Sequence, residues 1–168
     1  GESIVARALK AGLITVEFTD LRDFTSDRHR SVDDRPYWGG PGMVFKPEPV
    51  FAAAEATIAK AKAPPETTRK VLLTPQGNRL DQKGLRGLSK VDWIILLCGH
   101  YEGFDERIFQ GLSFEQISVG DYVLSGGEIP AMVALDGVAR LLPGALGHPD
   151  SATQESFEAG LLDYPQYT

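Results

Sequence analysis

The sequence has a single cysteine, Cys98, so no internal disulfide can form, and the expected setting is a reducing cytoplasm. The three histidines, His29, His100 and His148, are far apart and lack metal-ligand spacing, which disfavours a structural zinc site. No apolar run approaches the ~18 residues needed to cross a bilayer, and no signal-peptide pattern opens the chain. Excess positive charge is also lacking. The net charge of −6 argues against a protein that coats nucleic acid nonspecifically, though it leaves room for local basic patches or a basic partner domain. No G-x-G-x-x-G follows a strand pattern and no G-x-x-x-x-G-K-[ST] occurs, which disfavours Rossmann-type and P-loop sites. A ligand without phosphates, held through backbone contacts, fits better.

What remains is an ordinary globular composition: 168 residues, 42% hydrophobic and 24% charged, enough for one domain with a core. Glycine is frequent, at 18 residues where the usual ~7% gives about 12. The patterning predicts a helix over Glu2–Leu9 ended by Gly12 and a strand over Leu13–Phe18. A long mixed-charge loop follows over Asp20–Gly42. Next come a helix over Pro47–Lys62 and a strand over Val71–Thr74 that stops at Pro75-Gln76-Gly77. Asp81 caps a short helix running through Ser89. Trp93–Cys98, WIILLC, reads as a strand buried on both faces. Ile117–Leu124 is extended but broken at Gly120, and Glu128–Leu142 is an apolar, buried helix. Ser151–Thr168 reads as a linker or arm. Alternating strands and helices give an α/β domain with a largely parallel sheet, whose ligands sit beyond the carboxyl ends of the strands.

Three strand ends carry unusual residues: Thr74–Gly77, Gly99–Gly103 and Gly120–Gly127. Ser125-Gly126-Gly127-Glu128 opens a helix, where glycines let a ligand approach backbone N–H groups; an isolated Gly-Gly is as well explained by a plain turn. Tyr122 and Leu124 can flank a flat ring. Glu102 can accept from ribose hydroxyls or offset a cationic ligand, or be a solvated loop acid. Asp136 and Arg140, one turn apart, are either a helix-surface pair or a source of an electrostatic catalyst. Arg22, Arg28, Arg30 and Arg35, with Tyr37 and Trp38, suit phosphate contact and base stacking, although five aspartates nearly cancel their charge.

In order, DRHRSVDDRPYWGGPGM (Asp27–Met43), LTPQG (Leu73–Gly77), LCGHYEGFDERI (Leu97–Ile108), SVGDYVLSGGEIPAM (Ser118–Met132), LPGALG (Leu142–Gly147) and SATQESFEAGLLDYPQYT (Ser151–Thr168) resemble the bacterial tRNA (guanine-N1)-methyltransferases of the SPOUT superfamily. The resemblance covers nearly the whole chain. It implies an α/β fold with a deep C-terminal trefoil knot, a rare exception to unknotted topology. It also implies methyl transfer from S-adenosylmethionine to N1 of the guanosine at tRNA position 37, by a cytoplasmic homodimer with interfacial active sites and a magnesium requirement. Residue by residue, it assigns the cofactor to Leu73, Thr74 and Pro75, to Gly99, Tyr101 and Glu102, and to Val119, Gly120, Asp121, Tyr122, Val123, Leu124, Gly126, Gly127 and Pro130. Arg140 matches the catalytic arginine, and Glu155 stands where the family commonly has an aspartate base.

These roles suit the chemistry. Guanine N1 carries a proton at neutral pH, a carboxylate can remove it, and an arginine can stabilise the resulting anion. The target base must leave its stack to be reached. No covalent enzyme intermediate is needed, so Cys98 reads as core. Three positions depart from the family pattern: Glu155 is one methylene longer than aspartate, and Trp38 and His100 replace the usual Gly and Arg. The family pattern also predicts one strand before this chain's start and a helical tRNA-gripping domain after its end. Residues 1–148 then form the catalytic domain and 149–168 an interdomain linker. A noncatalytic RNA- or nucleoside-binding module, and a knotted methyltransferase of another RNA, are the competing readings.

Overall fold

A computed structural model describes residues 3–62, 64–100, 102–146, 156–157 and 162. The chain divides into two compact units, one of Gly1–Val16, Leu80–Lys90 and Met132–Thr168, the other of Glu17–Arg79 and Val91–Ala131.

The second unit holds the sheet. Helix α2 (Pro47–Ala61) begins with prolines in its first turn, where a missing N–H costs nothing, and ends at Lys62 in the left-handed conformation. It buries Val50, Ala53 and Ala54. Strands β3 (Thr68–Arg79), β4 (Trp93–Cys98) and β5 (Glu115–Ser118) form a parallel sheet in the order β4-β3-β5. Before them, Asp33–Asp34 (β1) pairs antiparallel with Val44–Phe45 (β2). Helix α4 (Glu106–Leu112) links β4 to β5. The core joins Val32, Phe45, Val50, Ala54, Leu72, Leu97, Ile108, Leu112 and Phe114. Leu72 and Ile108 are fully buried, and truncating such a side chain to Ala typically costs about 2–5 kcal/mol.

The first unit contains α1 (Ile4–Lys10) and α3 (Gln82–Leu88), and α5 (Glu128–Leu141) enters it at Met132. Ser3 caps α1 and Asp81 caps α3, each side chain accepting a backbone N–H of the first turn. Ala8, Leu88, Ala134, Val138 and Ala139 are the buried residues of these helices.

Five sequence expectations change. Leu13–Phe18 forms no strand. Gly12 takes φ +71°, and the N–H groups of Gly12 and Leu13 donate to Leu9 and Ala8 carbonyls, a Schellman closure that spends Leu13 on ending α1. β-Propensity needs a neighbouring strand to pair with, and residues 14–18 pair with none among the described residues. Secondly, β4 is an edge strand, half-buried with Trp93 exposed, rather than covered on both faces. Thirdly, α5 is not wholly buried. Ile129, Met132 and Val133, spaced i, i+3, i+4 on one helix face, stand exposed. Lastly, β3 continues past Pro75 to Arg79, and β5 ends at Ser118 instead of running on to Leu124.

Candidate functional site

The register of the sheet brings the three candidate segments to one edge. Leu73 pairs with Cys98 on one side and with Ile117 on the other, so these residues form a single row. Just beyond that row the chain leaves the ladder three times. Asn78 faces Ile117 as well, so residues 74–77 bulge out of the ladder within β3. After Cys98 comes the 99–103 turn, and after Ser118 comes the 119–127 loop.

The loops are tied to one another. Gly127 donates its N–H to the Gly99 carbonyl at 2.8 Å, and His100 forms an antiparallel bridge with Gly126. Gly127 has no room for a side chain: a Cβ there would lie 2.7 Å from the Cys98 Cα. The glycine at this position thus allows a close chain-on-chain contact. The Gly127 carbonyl accepts from Ala131, which starts α5.

Ser118 is buried, and its hydroxyl accepts the Gly120 N–H at 3.2 Å and donates to the Gly120 carbonyl at 2.9 Å. That turn ends the strand and sends 121–125 outward. Tyr122, Val123 and Leu124 are exposed, so apolar side chains and backbone outside any ladder are both open to a ligand. Asp121 lies 3.9 Å from the Arg79 guanidinium; both are so exposed that the pair adds little.

The other side of the 99–103 turn meets the early loop. Glu102 and Asp105 donate their N–H groups to the Met43 and Phe45 carbonyls, and Phe45 donates to Gly103. Phe45 and Phe104 stack with centroids 5.0 Å apart. The Gly42 backbone packs against the Glu102 side chain. The GGPG end of the loop therefore borders a candidate cofactor residue. Within the loop, Asp27 accepts from His29 and Ser31, and the Ser31 hydroxyl and N–H hold its carboxyl below the usual range. Arg22 and Arg30 donate to each other's backbone carbonyls, and Arg30 also pairs with Asp23. These two arginines are engaged in shaping the loop. Tyr37 and Trp38 are almost fully exposed and meet edge to face at 5.3 Å.

His100 Nε2 lies 2.5 Å from Glu128 Oε1. Burial pulls the Glu128 carboxyl up, but the His100 hydrogen bond, its own backbone N–H and the His100 charge hold it below the usual value. Burial and the nearby Glu128 carboxylate push the Cys98 thiol up to about 11, so it stays protonated at neutral pH and suits a passive core role.

Leu73, Thr74, Pro75, Gly99, Glu102, Val119–Leu124, Gly126, Gly127 and Pro130 all fall in the sheet-bearing unit. Leu73 is buried and Pro75 exposed. Arg140 is half-buried in the last turn of α5, in the other unit. Tyr101 and Glu155 lie outside the described residues, as does most of 149–168. Sequence reasoning missed Ser118 and the His100–Glu128 contact. A small polar residue before Val-Gly at a strand end is a local signal for the first. The second joins residues 28 positions apart, and nothing in the sequence pairs them.

The chain is similar to known proteins along its whole length. The family model described as tRNA (Guanine-1)-methyltransferase TrmD matches residues 1–168. A tRNA (guanine-N(1)-)-methyltransferase of Desulforudis audaxviator is 50% identical over 168 residues, 100% of this chain and 66% of that protein. Those of Synechococcus sp. (strain JA-2-3B'a(2-13)) and Geobacillus kaustophilus are 54% and 49% identical, covering 98% and 99% of this chain. The chain spans 64% and 67% of their respective lengths, about two thirds.

Proposed function

We propose that this chain, which belongs to the tRNA (guanine-1)-methyltransferase family, transfers a methyl group from S-adenosylmethionine to N1 of the guanosine at tRNA position 37, immediately 3′ of the anticodon. The observation that carries the reading is the row Cys98–Leu73–Ile117, beyond which all three candidate segments leave the sheet together. A parallel sheet binds ligands at that edge.

The residues present fit the cofactor. Thr74 and Pro75 form one wall, Gly99 and Glu102 a second, and Val119–Leu124 the loop whose exposed Tyr122 and Leu124 can flank a purine. Bound there, S-adenosylmethionine supplies an electrophilic methyl on a sulfonium with a good leaving group. Glu102 sets a carboxylate near that cation. Arg140 stabilises negative charge on guanine O6, and Glu155 takes the N1 proton. Glu155 must compensate for its extra methylene, since a displacement of about 1 Å can cost ~100-fold in rate.

Among the described residues no group of three or more His, Cys, Asp or Glu could hold a metal. A magnesium requirement remains part of the proposal on the family resemblance alone. Magnesium often binds through one or two carboxylates together with waters and substrate phosphates.

The same proposal includes a trefoil knot closed by the 119–130 segment, a catalytic domain over residues 1–148 and a linker over 149–168. It also includes a homodimer, favoured by the exposed apolar face of α5, and a cytoplasmic location. No described helix is long and apolar enough to cross a membrane. Calorimetric titration of S-adenosylmethionine into the full-length protein tests the cofactor assignment. Binding is expected; wild-type protein that binds nothing would overturn it.

A further inference from the structure

We propose that His100 and Glu128 act together as a positioning pair that sets how tightly the 119–127 loop holds S-adenosylmethionine. The inference rests on the cofactor reading above. His100 lies in the turn after β4, and Glu128 is the first residue of α5. Between them runs the other fastening of the loop, the Gly127 N–H to Gly99 carbonyl bond, beside the His100–Gly126 bridge. The 2.5 Å contact of His100 Nε2 with Glu128 Oε1 is thus a side-chain latch over a backbone joint.

The latch is placed where it can govern the loop. Gly127 is packed on Cys98 and Gly99 with no space for a side chain, so the loop returns to the sheet directly beside the His100–Glu128 contact. The loop's far side carries only the long, exposed Arg79–Asp121 contact among the described ion pairs. Removing Glu128 takes away the side-chain fastening of the end that docks the glycines, while the backbone joint and the core beneath remain. Both side chains are partly exposed, 44% and 59%, so their removal spares the fold and acts on loop placement.

The test is a double-mutant cycle in the full-length protein, read by calorimetry with S-adenosylmethionine and with S-adenosylhomocysteine, which lacks the sulfonium charge. His100→Ala and Glu128→Ala are each expected to weaken both ligands about fivefold, with the double variant no weaker than either single one. Glu128→Gln, which keeps the size and removes the charge, is expected to lie between wild type and Glu128→Ala. His100→Arg, a cationic donor, is expected to restore affinity. In turnover, KM for the methyl donor should rise while kcat changes less than about twofold. Additive losses, or single variants within about twofold of wild type, would overturn the pairing while leaving the cofactor site intact. Wild-type protein that binds neither ligand would overturn both readings.

Discussion

Gly127 shows how much a single residue can disclose and conceal. Its place before a helix made a glycine-rich loop legible in the sequence, but the reason for glycine was not. The space a side chain would need is filled by Cys98 and Gly99, almost thirty residues earlier, and no local pattern reports that distance. The account therefore predicts that Gly127→Ala, a small change, lowers stability by about 1–3 kcal/mol through overpacking, read as a shifted urea midpoint. A variant as stable as wild type would mean that the contact relaxes freely. Cys98 offers a second check. With its thiol pushed up to about 11 from its ordinary 9.0, the native protein holds roughly 100-fold less thiolate at pH 8. Iodoacetamide should then alkylate Cys98 about 100-fold more slowly in the folded protein than in urea. Equal rates would contradict the burial assigned to it. Linkage has the same sign: the folded thiol's raised value contributes stability below pH 9 that is lost as pH rises toward 11.

Elements were legible where they carried their own start and stop signals. Pro47 and the apolar spacing gave α2, and Asp81 gave α3. Helix α4 went unread, although Asp105 accepts the Arg107 N–H at 2.9 Å and Ile108 and Leu112 lie one turn apart. Seven residues are too few for periodicity to stand out beside the charged run Asp105–Arg107. Leu13–Phe18 failed for the opposite reason: its composition suits a strand, but a strand exists only with a partner. The cap at α4 can be tested directly. The Arg107 side-chain hydrogen bond outweighs burial and holds the Asp105 carboxyl below its ordinary 3.8. A lowered acid contributes stability above its unfolded value that is lost as pH falls through the folded one. Asp105→Ala should cost about 1 kcal/mol at pH 7, and the difference from wild type should shrink below pH 4. A constant difference from pH 7 to pH 2 would rule out the carboxylate as its source.

At the scale of the whole molecule, the parallel α/β arrangement followed from alternation, and the convergence of three loops followed from strands ending at glycines and proline. Exposure did not. WIILLC and the apolar α5 read as interior, yet β4 lies at an edge and Ile129, Met132 and Val133 face outward. A sequence records that a surface is apolar, not which chain covers it. The proposed homodimer would cover the α5 face, so Met132→Glu should shift sedimentation equilibrium toward monomer and reduce methyl transfer more than tenfold; an unchanged association state would remove this face from the proposed interface. The central claim is methyl transfer to one atom of one nucleotide. Its most direct measurement uses the full-length protein, methyl-labelled S-adenosylmethionine and two tRNA transcripts, one with guanosine at position 37 and one with adenosine there. The account predicts label in the first alone, recovered as N1-methylguanosine at position 37. Label in both transcripts, or in neither, would contradict it.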